Sequence, residues 1–312
     1  MWRSTARLLA ATATLLAATA CGQQSLMPKS GGRPYEVVVV DDYSGTVRKA
    51  LQLPVEGLPQ EEPQFDVSAI SSDQYDLTAQ TSRSIVVTAI DEKKERISIR
   101  YERDALAKPQ LIIYLTAHSE KQLIDNAPQW GRQIRTLLNN HETAIATAHL
   151  HDNHNAEAEK RIKEMFGVSM LVPADMTASK RGDNFLWIAT NGIEGMRSIC
   201  LYTIPRGHDF ADMRDSVMKR NLPGETDNMY MQTRREGLKN EKTATAEGQP
   251  TVWRGLWEME NDAMGGPFVA HVVGLPEKKS LLVAEAFVYA PETTKRNKLK
   301  LTEAALHTLK AR

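Results

Sequence analysis

The sequence predicts an α+β protein in which antiparallel β-sheets are backed by helices. Short apolar or alternating runs, typical of strands, come in groups of three, and each group precedes a segment whose apolar residues have helical spacing. Both halves of the chain also show the same order of a strand, a helix, a loop with Pro and Gly, three strands and a helix. This order suggests two duplicated strand-helix-three-strand-helix units, although no residue-level repeat accompanies it.

The first half begins with a buried strand at 36–40, where Glu36 is followed by four valines. A helix is predicted at 45–53 and ends at Pro54. Residues 55–66 contain several turn formers and predict an extended loop. The remaining predicted elements are strands at 85–90, 96–101 and 110–116, a long helix capped by Ser119 and kinked or begun at Pro128, and a helix at 156–166.

The second half is predicted to contain strands at 169–172, 184–190 and 198–204, a helix at 209–220, strands at 251–259, 268–274 and 281–289, and a closing helix at 292–309. Residues 235–250 are polar and predict a mobile connection. The segment MGGP at 264–267 predicts a hairpin connection with a positive φ at a glycine. The predicted organisation is a signal peptide at 1–20, a flexible tether at 21–34 and an α+β domain at 35–312, with halves at 35–165 and 166–312.

The first twenty residues have the layout of a secretory signal peptide. Arg3 and Arg7 precede an uncharged run at 8–19, which is short for a membrane-spanning helix because a span takes about 20 residues. Small residues at 18–20 stand directly before Cys21 and suit cleavage there. The arrangement resembles a bacterial lipobox, with Ala18 in place of the usual Leu. The resemblance implies fatty acyl groups on Cys21, and the membrane as a partner through this lipid anchor.

Composition excludes one class of partner. The chain has 39 basic and 39 acidic side chains, and removing residues 1–20 takes away two arginines, which leaves 37 against 39 and a formal charge of −2. Nucleic acid is excluded as a partner, because binding phosphates requires a basic stripe that the sequence lacks. The other cysteine, Cys200, lies in the apolar run 198–204 and is predicted to be a core residue.

Five segments spread over the chain have long and unusual sequences: GLPQEEPQFDV at 57–67, TSRSIVV at 81–87, KPQLIIYL at 108–115, RGLWEMENDAMGGPF at 254–268 and EAFVYAPETTKR at 285–296. In these segments the chain resembles a Bacteroidota lipoprotein family of unknown function, domain of unknown function 4837. The resemblance implies a single family-wide domain in the cell envelope and no particular activity. Surface-exported members tend to carry acidic residues after the cysteine, whereas residues 22–25 have none. This difference favours the periplasmic face of the outer membrane.

The segment VWRGLWEMENDAMGGPF contains the strongest candidates for ligand binding. Trp253 and Trp257 are four residues apart and would face the same side of a strand. Together with Arg254, Asp262 and the distant Arg83, they would offer a surface for a glycan or an envelope protein, because flat indole faces stack on sugar rings. Core packing of at least one of the two indoles is the alternative. We therefore predict a binding or scaffolding module.

An envelope hydrolase that acts on glycan or peptide is the alternative function. It would use carboxylates such as Asp262 and Glu258 as acid and base. However, the sequence has no GxSxG, P-loop, HExxH or CxxC motif, and we predict no catalytic residue and no cofactor.

Metal binding is a further alternative. His149, His151 and His154 lie within six residues and are ligands that Zn²⁺ and Cu²⁺ accept. In a continuous helix, however, His149 and His151 point about 200° apart, because each residue turns the helix by about 100°. The spacing therefore favours a solvated polar turn, and no metal site is assigned to it.

The predicted lipid anchor on Cys21 can be tested by mutation. Replacing Cys21 by Ala removes the only acylation site that the signal layout offers. We expect the variant to move from the membrane fraction to the soluble fraction, because the acyl chains supply about 0.8 kcal/mol of membrane affinity per buried CH₂. Fractionation followed by immunoblotting measures the change, and Cys200→Ala is the matched control. A Cys21→Ala protein that stays with the membrane would contradict the anchor.

Overall fold

A computed structural model describes residues 27–192, 195–242, 250–275 and 280–310. Cys21, the predicted signal peptide and the start of the predicted tether lie outside the described residues. Within the described part of the chain, the strands form two sheets, the first of five strands and the second of seven. No helix of this part has the length and apolar character that crossing a membrane requires.

The first sheet is formed by residues 36–117, with helices that follow and cover it. Its strands are β1 (Glu36–Val40), β2 (Asp66–Ile70), β3 (Ser84–Ile90), β4 (Ser98–Arg103) and β5 (Leu111–Ala117), and the helices of this half are α1 (Thr46–Leu51), α2 (Leu77–Gln80), α3 (Glu120–Asp125) and α4 (Ala127–Asp152). Helix α5 (Ala156–Phe166) follows α4 but packs against the second sheet. The strand order is β2-β1-β3-β5-β4. The central strands β3 and β5 are largely buried, as near-continuous apolar runs covered on both faces should be.

The second sheet contains the remaining strands in the order β6-β7-β8-β12-β11-β10-β9. The strands are β6 (Ala178–Gly182), β7 (Phe185–Ala189), β8 (Met196–Pro205), β9 (Met231–Lys242), β10 (Thr251–Met259), β11 (Gly265–Gly274) and β12 (Ser280–Tyr289), and the helices are α6 (Phe210–Asn221) and α7 (Arg296–Leu306). One face packs against α5 and α7, and the other packs against α6. The sheet therefore lies between two helical layers, each with its own apolar core.

Helix α7 joins the two halves. It packs against α4 and against the second sheet. At its N-terminal end, the Glu62 carboxylate accepts hydrogen bonds from the backbone N–H groups of Lys295 (2.7 Å) and Arg296 (2.9 Å). The Arg296 side chain donates to Asp66 at 2.6 Å. Charged contacts at a helix N-terminus thus attach the last helix to the loop and strand of the first half.

The α+β class predicted from the sequence is confirmed, and both sheets are backed by helices. The first sheet is mixed, however, because β1 pairs in parallel with β2 and β3, β3 pairs in parallel with β5, and only β4 pairs antiparallel. Every pairing of the second sheet is antiparallel. The two sheets are therefore not copies of one unit, contrary to the suggested duplication.

Two local predictions also need correction. Residues 231–242 form β9, although 235–250 was predicted to be a mobile connection. Its polar sequence suits an edge strand, which pairs with β10 on one side only, although Met231 and Thr233 at its start are buried beneath α6. Residues 169–172 were predicted to be a strand, but they form a connection in which Ser169 makes one isolated bridge with Lys310.

The glycines before Pro267 serve close packing and not a turn. The positive φ of this connection lies at Asn261, and Gly265 and Gly266 already belong to β11. A Cβ atom on Gly266 would lie 2.0 Å from the Val288 carbonyl oxygen and 3.1 Å from Trp257 Nε1. Only glycine therefore fits between the Trp257 indole and strand β12.

A buried ion pair holds α6 on the second sheet. Arg214 and Glu285 are both fully buried, with Nη2 to Oε1 at 2.7 Å. Tyr202 donates to Glu285 Oε2 at 2.8 Å, and Arg214 Nη1 donates to Thr233 Oγ1 at 2.9 Å. The guanidinium also lies 4.1 Å from the centroid of the Phe268 ring. The pair is thus hydrogen-bonded and stacked within the core.

Replacing Glu285 by Ala should destabilise the protein by about 3–5 kcal/mol, because it removes the fully buried carboxylate that pairs with Arg214 and leaves only the more distant Asp215, at 3.7 Å. Urea unfolding measures this change. The matched control is Glu157→Ala, which removes an exposed ion pair with Arg161 and should cost about 0–1 kcal/mol. Equal losses in the two variants would contradict the assignment of the buried pair.

Candidate functional site

The two indoles of β10 lie on the same side of the strand, in the core beneath α6. Trp257 is 2% exposed. Its ring meets Phe287 edge-on at 5.6 Å, and its Nε1 donates to the Val288 carbonyl at 3.3 Å. Trp253 is partly buried and stacks on Phe210 at 4.6 Å. Both indoles therefore pack in or against the core, which is the alternative to ligand binding given above.

The other predicted ligand-binding residues lie apart from the indoles. Arg83 precedes β3 in the first half and pairs with Glu142 of α4 at 2.8 Å. Asp262 is exposed in the connection between β10 and β11. The predicted convergence of Arg83, Trp257 and Asp262 is therefore wrong, because apolar burial places the indole inside while the two charged residues belong to different parts of the fold. Glu258, the other hydrolase candidate, faces Gln232 and Arg234.

The three predicted histidines at the end of α4 are separate from one another. His149 is exposed and lies next to Asn153, and His154 lies 2.8 Å from Glu159. His151 is exposed and lines the rim of a cleft described below. Among the described residues, these three histidines form no group that could hold a metal ion. His149 and His151 belong to the last turn of α4 and His154 follows it, so two of the three lie on the helix and not in the predicted turn.

A cleft of about 1050 Å³ lies between the two halves. Its walls are α4 on one side and α7 with β10 on the other, and the loop around Leu58 closes one end. The wall from α4 presents Thr136, Asn139, Thr143 and Thr147, which recur every three or four residues and so share one helix face. This wall therefore offers neutral amide and hydroxyl groups to the cleft.

The opposite wall is charged. Arg254 of β10 makes a two-pronged contact with Glu303 of α7, with Nη2 to Oε1 at 2.6 Å and Nη1 to Oε2 at 3.0 Å. Burial alone would raise the pKa of Glu303, but the Arg254 charge outweighs burial and holds that pKa well below its usual range. The Glu303 carboxylate is thus ionised and fixed in orientation at the cleft.

Two histidines lie beside the same carboxylate. His271 Nε2 on β11 lies 3.6 Å from Glu303 Oε1, and His307 Nε2 lies 3.9 Å from it. The two imidazole rings meet edge-on with centroids 4.8 Å apart. His271 is 2% exposed, whereas the His307 side chain is 44% exposed and lines the cleft. Burial lowers the pKa of His307, which favours its neutral form.

Lys300 precedes Glu303 by about one turn of α7 and also lines the cleft. Its Nζ donates to Asn139 Oδ1 at 2.5 Å and lies 4.6 Å from the centroid of the Tyr35 ring. Among the described residues, no carboxylate lies within ion-pairing distance of this ammonium. Burial, supported by the nearby positive charges of Arg254 and Arg296, lowers the pKa of Lys300 to about 8.

Of the residues predicted from the sequence, only Arg254 is part of this charged wall. Glu303, His307 and Lys300 were missed, and one signal for them was available: Glu303 and His307 are four apart on a predicted helix and share a face. Their meeting with Arg254 and His271 depends on how α7 crosses β10 and β11, which spacing along the chain does not reveal.

Comparison with protein families gives two matches. Residues 155–308 match the model described as Domain of unknown function (DUF4837). This part of the chain is similar to a family of unknown function. Residues 30–151 match a second model, Domain of unknown function (DUF8532). The resemblance to domain of unknown function 4837 is thus confirmed for the segments at 254–268 and 285–296, whereas the three earlier segments lie in the range of the second model.

Among curated proteins, none matches the chain significantly. A crystal structure from Bacteroides thetaiotaomicron aligns with a TM-score of 0.26 and 15% identity, over 46% of this chain and 45% of that one. The Ran-binding protein Mog1p of Saccharomyces cerevisiae aligns with a TM-score of 0.29 and 11% identity, over 47% of this chain and 92% of that one. At these TM-scores the alignments support no argument about function.

The lowered pKa of Lys300 is directly testable. Only the neutral amine acylates, so the rate at which acetic anhydride modifies Lys300 should rise with pH and level off above about pH 8. The acylation rate of an ordinary lysine, with a pKa of about 10.4, rises over a range roughly two pH units higher. Peptide mass spectrometry follows each lysine separately, and the exposed Lys121 serves as the internal reference. A Lys300 profile that coincides with that of Lys121 would contradict the assignment.

Proposed function

We propose that this chain is a lipid-anchored binding protein of the cell envelope, and that it binds an acidic saccharide in the cleft between its two halves. The observation that carries the proposal is the Lys300 ammonium, which lines the cleft without a carboxylate partner among the described residues. A carboxylate of the ligand would pair with it and form a charge-assisted hydrogen bond. The anchor and the envelope location come from the signal layout at Cys21 and from the family resemblance.

The size of the cleft supports a small ligand. Ligand pockets commonly have volumes of about 300–1,000 Å³. At about 1050 Å³, the cleft is at the upper end of that range and opens to solvent. A ligand of one or a few sugar rings can fill this space, whereas the flat surface of a partner protein cannot enter it.

The lining of the cleft supports a hydroxyl-rich ligand. The threonines and Asn139 on α4 supply neutral donors and acceptors that pair with sugar hydroxyls. Leu58, which is partly buried at the end of the cleft, supplies apolar area for the carbon face of a sugar ring. Arg254 is already paired with Glu303, so Lys300 is left as the principal contact for an acidic group.

This proposal retains the predicted function but relocates the site. The ligand meets the face of α7 and α4, whereas Trp253 and Trp257 support the sheet from the opposite side. Arg254 belongs to both sites, because it was predicted from the sequence as a ligand-binding residue and it also lines the cleft.

Titration calorimetry with D-glucuronate tests the proposal on the full chain. We expect saturable binding at millimolar concentrations or better, and weaker binding of D-glucose, which lacks the carboxylate. Lys300→Gln should weaken glucuronate binding by about tenfold or more, because a charge-assisted hydrogen bond contributes roughly 1.5–3 kcal/mol.

Lys219→Gln is the matched control. Lys219 also places its ammonium over a tyrosine ring, at 3.9 Å from the centroid of Tyr230, but it lies on α6 away from the cleft. Its replacement should leave glucuronate binding unchanged. Absence of glucuronate binding would contradict the acidic-saccharide assignment, and binding that survives Lys300→Gln would contradict the location in the cleft.

A further inference from the structure

Three potential metal ligands converge where α7 crosses β11. The imidazoles of His271 and His307 and the carboxylate of Glu303 place one ligand atom each within 4.8 Å of one another. They are the only such group of three or more among the described residues. Glu303 and His307 come from successive turns of one helix, and His271 comes from the strand beneath it.

An unpaired nitrogen points into this group. His271 Nε2 is fully buried and has no hydrogen-bond partner among the residues that the structure describes, since its distance of 3.6 Å to Glu303 Oε1 is too long for a hydrogen bond. Leaving a buried polar atom unpaired is energetically unfavourable, so such atoms are rare in native proteins. A cation between Nε2 and Oε1 would satisfy both atoms.

The separations are longer than tetrahedral coordination requires, but side-chain movements can close them. Bonds of about 2.0–2.1 Å to a Zn²⁺ ion place its ligand atoms roughly 3.3 Å apart. The two nitrogen-to-Oε1 distances are 3.6 Å and 3.9 Å, and all three ligand atoms lie within 4.8 Å of one another, so binding one ion requires the atoms to approach by up to about 1.5 Å. Two imidazoles and one carboxylate suit zinc and neighbouring transition metals, whereas Mg²⁺ and Ca²⁺ require oxygen ligands.

Arg254 is compatible with a metal on the same carboxylate. Each carboxylate oxygen has two lone pairs, and Arg254 donates one hydrogen bond to each oxygen of Glu303. One lone pair of Oε1 stays free on the side of the two histidines. Arg254 would then fix the orientation of a ligand, as outer-sphere partners of metal sites do.

The geometry points to a Zn²⁺ site formed by His271, Glu303 and His307 at the wall of the cleft. With three protein ligands, the fourth coordination position faces the cleft, because Glu303 and His307 both line it. A water molecule or a ligand oxygen fills that position. The site is separate from the predicted histidines at the end of α4, and it does not depend on saccharide binding.

Equilibrium dialysis of the untagged full chain against Zn²⁺, with no saccharide present, tests the site. We expect one ion per chain, and no competition from a large excess of Mg²⁺ or Ca²⁺. His307→Ala should weaken binding by about tenfold or more, the size of effect seen even for outer-sphere changes. The His307 side chain is 44% exposed, so this variant should fold, and circular dichroism checks that it does.

His149→Ala is the matched control, because it removes an exposed histidine that does not line the cleft. We expect this variant to bind Zn²⁺ as the parent does. Substoichiometric binding to the parent, undiminished binding in His307→Ala, or loss of binding in His149→Ala would overturn the site. Because the dialysis contains no saccharide, its outcome is independent of whether glucuronate binds in the calorimetric test.

Discussion

The attachment of α7 through Glu62 is the constraint on which the cleft depends. Its carboxylate oxygens hold two backbone N–H groups at the start of α7, which are donors that a helix cannot satisfy internally. Glu62 is 8% exposed, so these charge-assisted bonds form in a region from which water is largely excluded. The loop that contains Glu62 belongs to the first half, and α7 packs on the second sheet. Together with the Arg296–Asp66 pair and the packing of α7 on α4, this carboxylate holds the two walls of the cleft at their distance.

Because α7 is fixed in this way, its two faces have different roles. Leu299 and Leu306 are buried in the core that α7 shares with the second sheet. Arg296, Lys300, Glu303 and His307 recur at intervals of three and four residues and line the cleft. A single amphipathic helix therefore stabilises the sheet and supplies the charged side chains of the candidate site. The helix keeps these side chains at a constant spacing, which loops would not.

The sequence revealed much of the fold and little of the site, for identifiable reasons. Alternation and apolar runs predicted β1, β3 and β5, because burial imposes a pattern on each strand separately. The polar strand β9 was missed, since its place at an edge imposes no apolar pattern. The site combines Lys300 and Glu303 with Arg254 and with Asn139, which lie far apart along the chain. Only the packing of α7 between α4 and β10 determines that they meet.

Two Arg–Glu pairs, one fully buried and one at the cleft, lie on opposite faces of the second sheet, and their surroundings show which face can bind a ligand. Around Arg214 and Glu285, Tyr202 and Thr233 complete the hydrogen bonding, and Arg214, Glu285 and Tyr202 are fully buried. Such a network specifies packing and leaves nothing for a ligand to satisfy. Around Arg254 and Glu303, by contrast, His271 Nε2 is unpaired and the cleft reaches the carboxylate. A ligand in an open cleft can bind polar atoms that the protein itself leaves without hydrogen bonds. The packing of α7 places such atoms at the cleft on this face of the sheet.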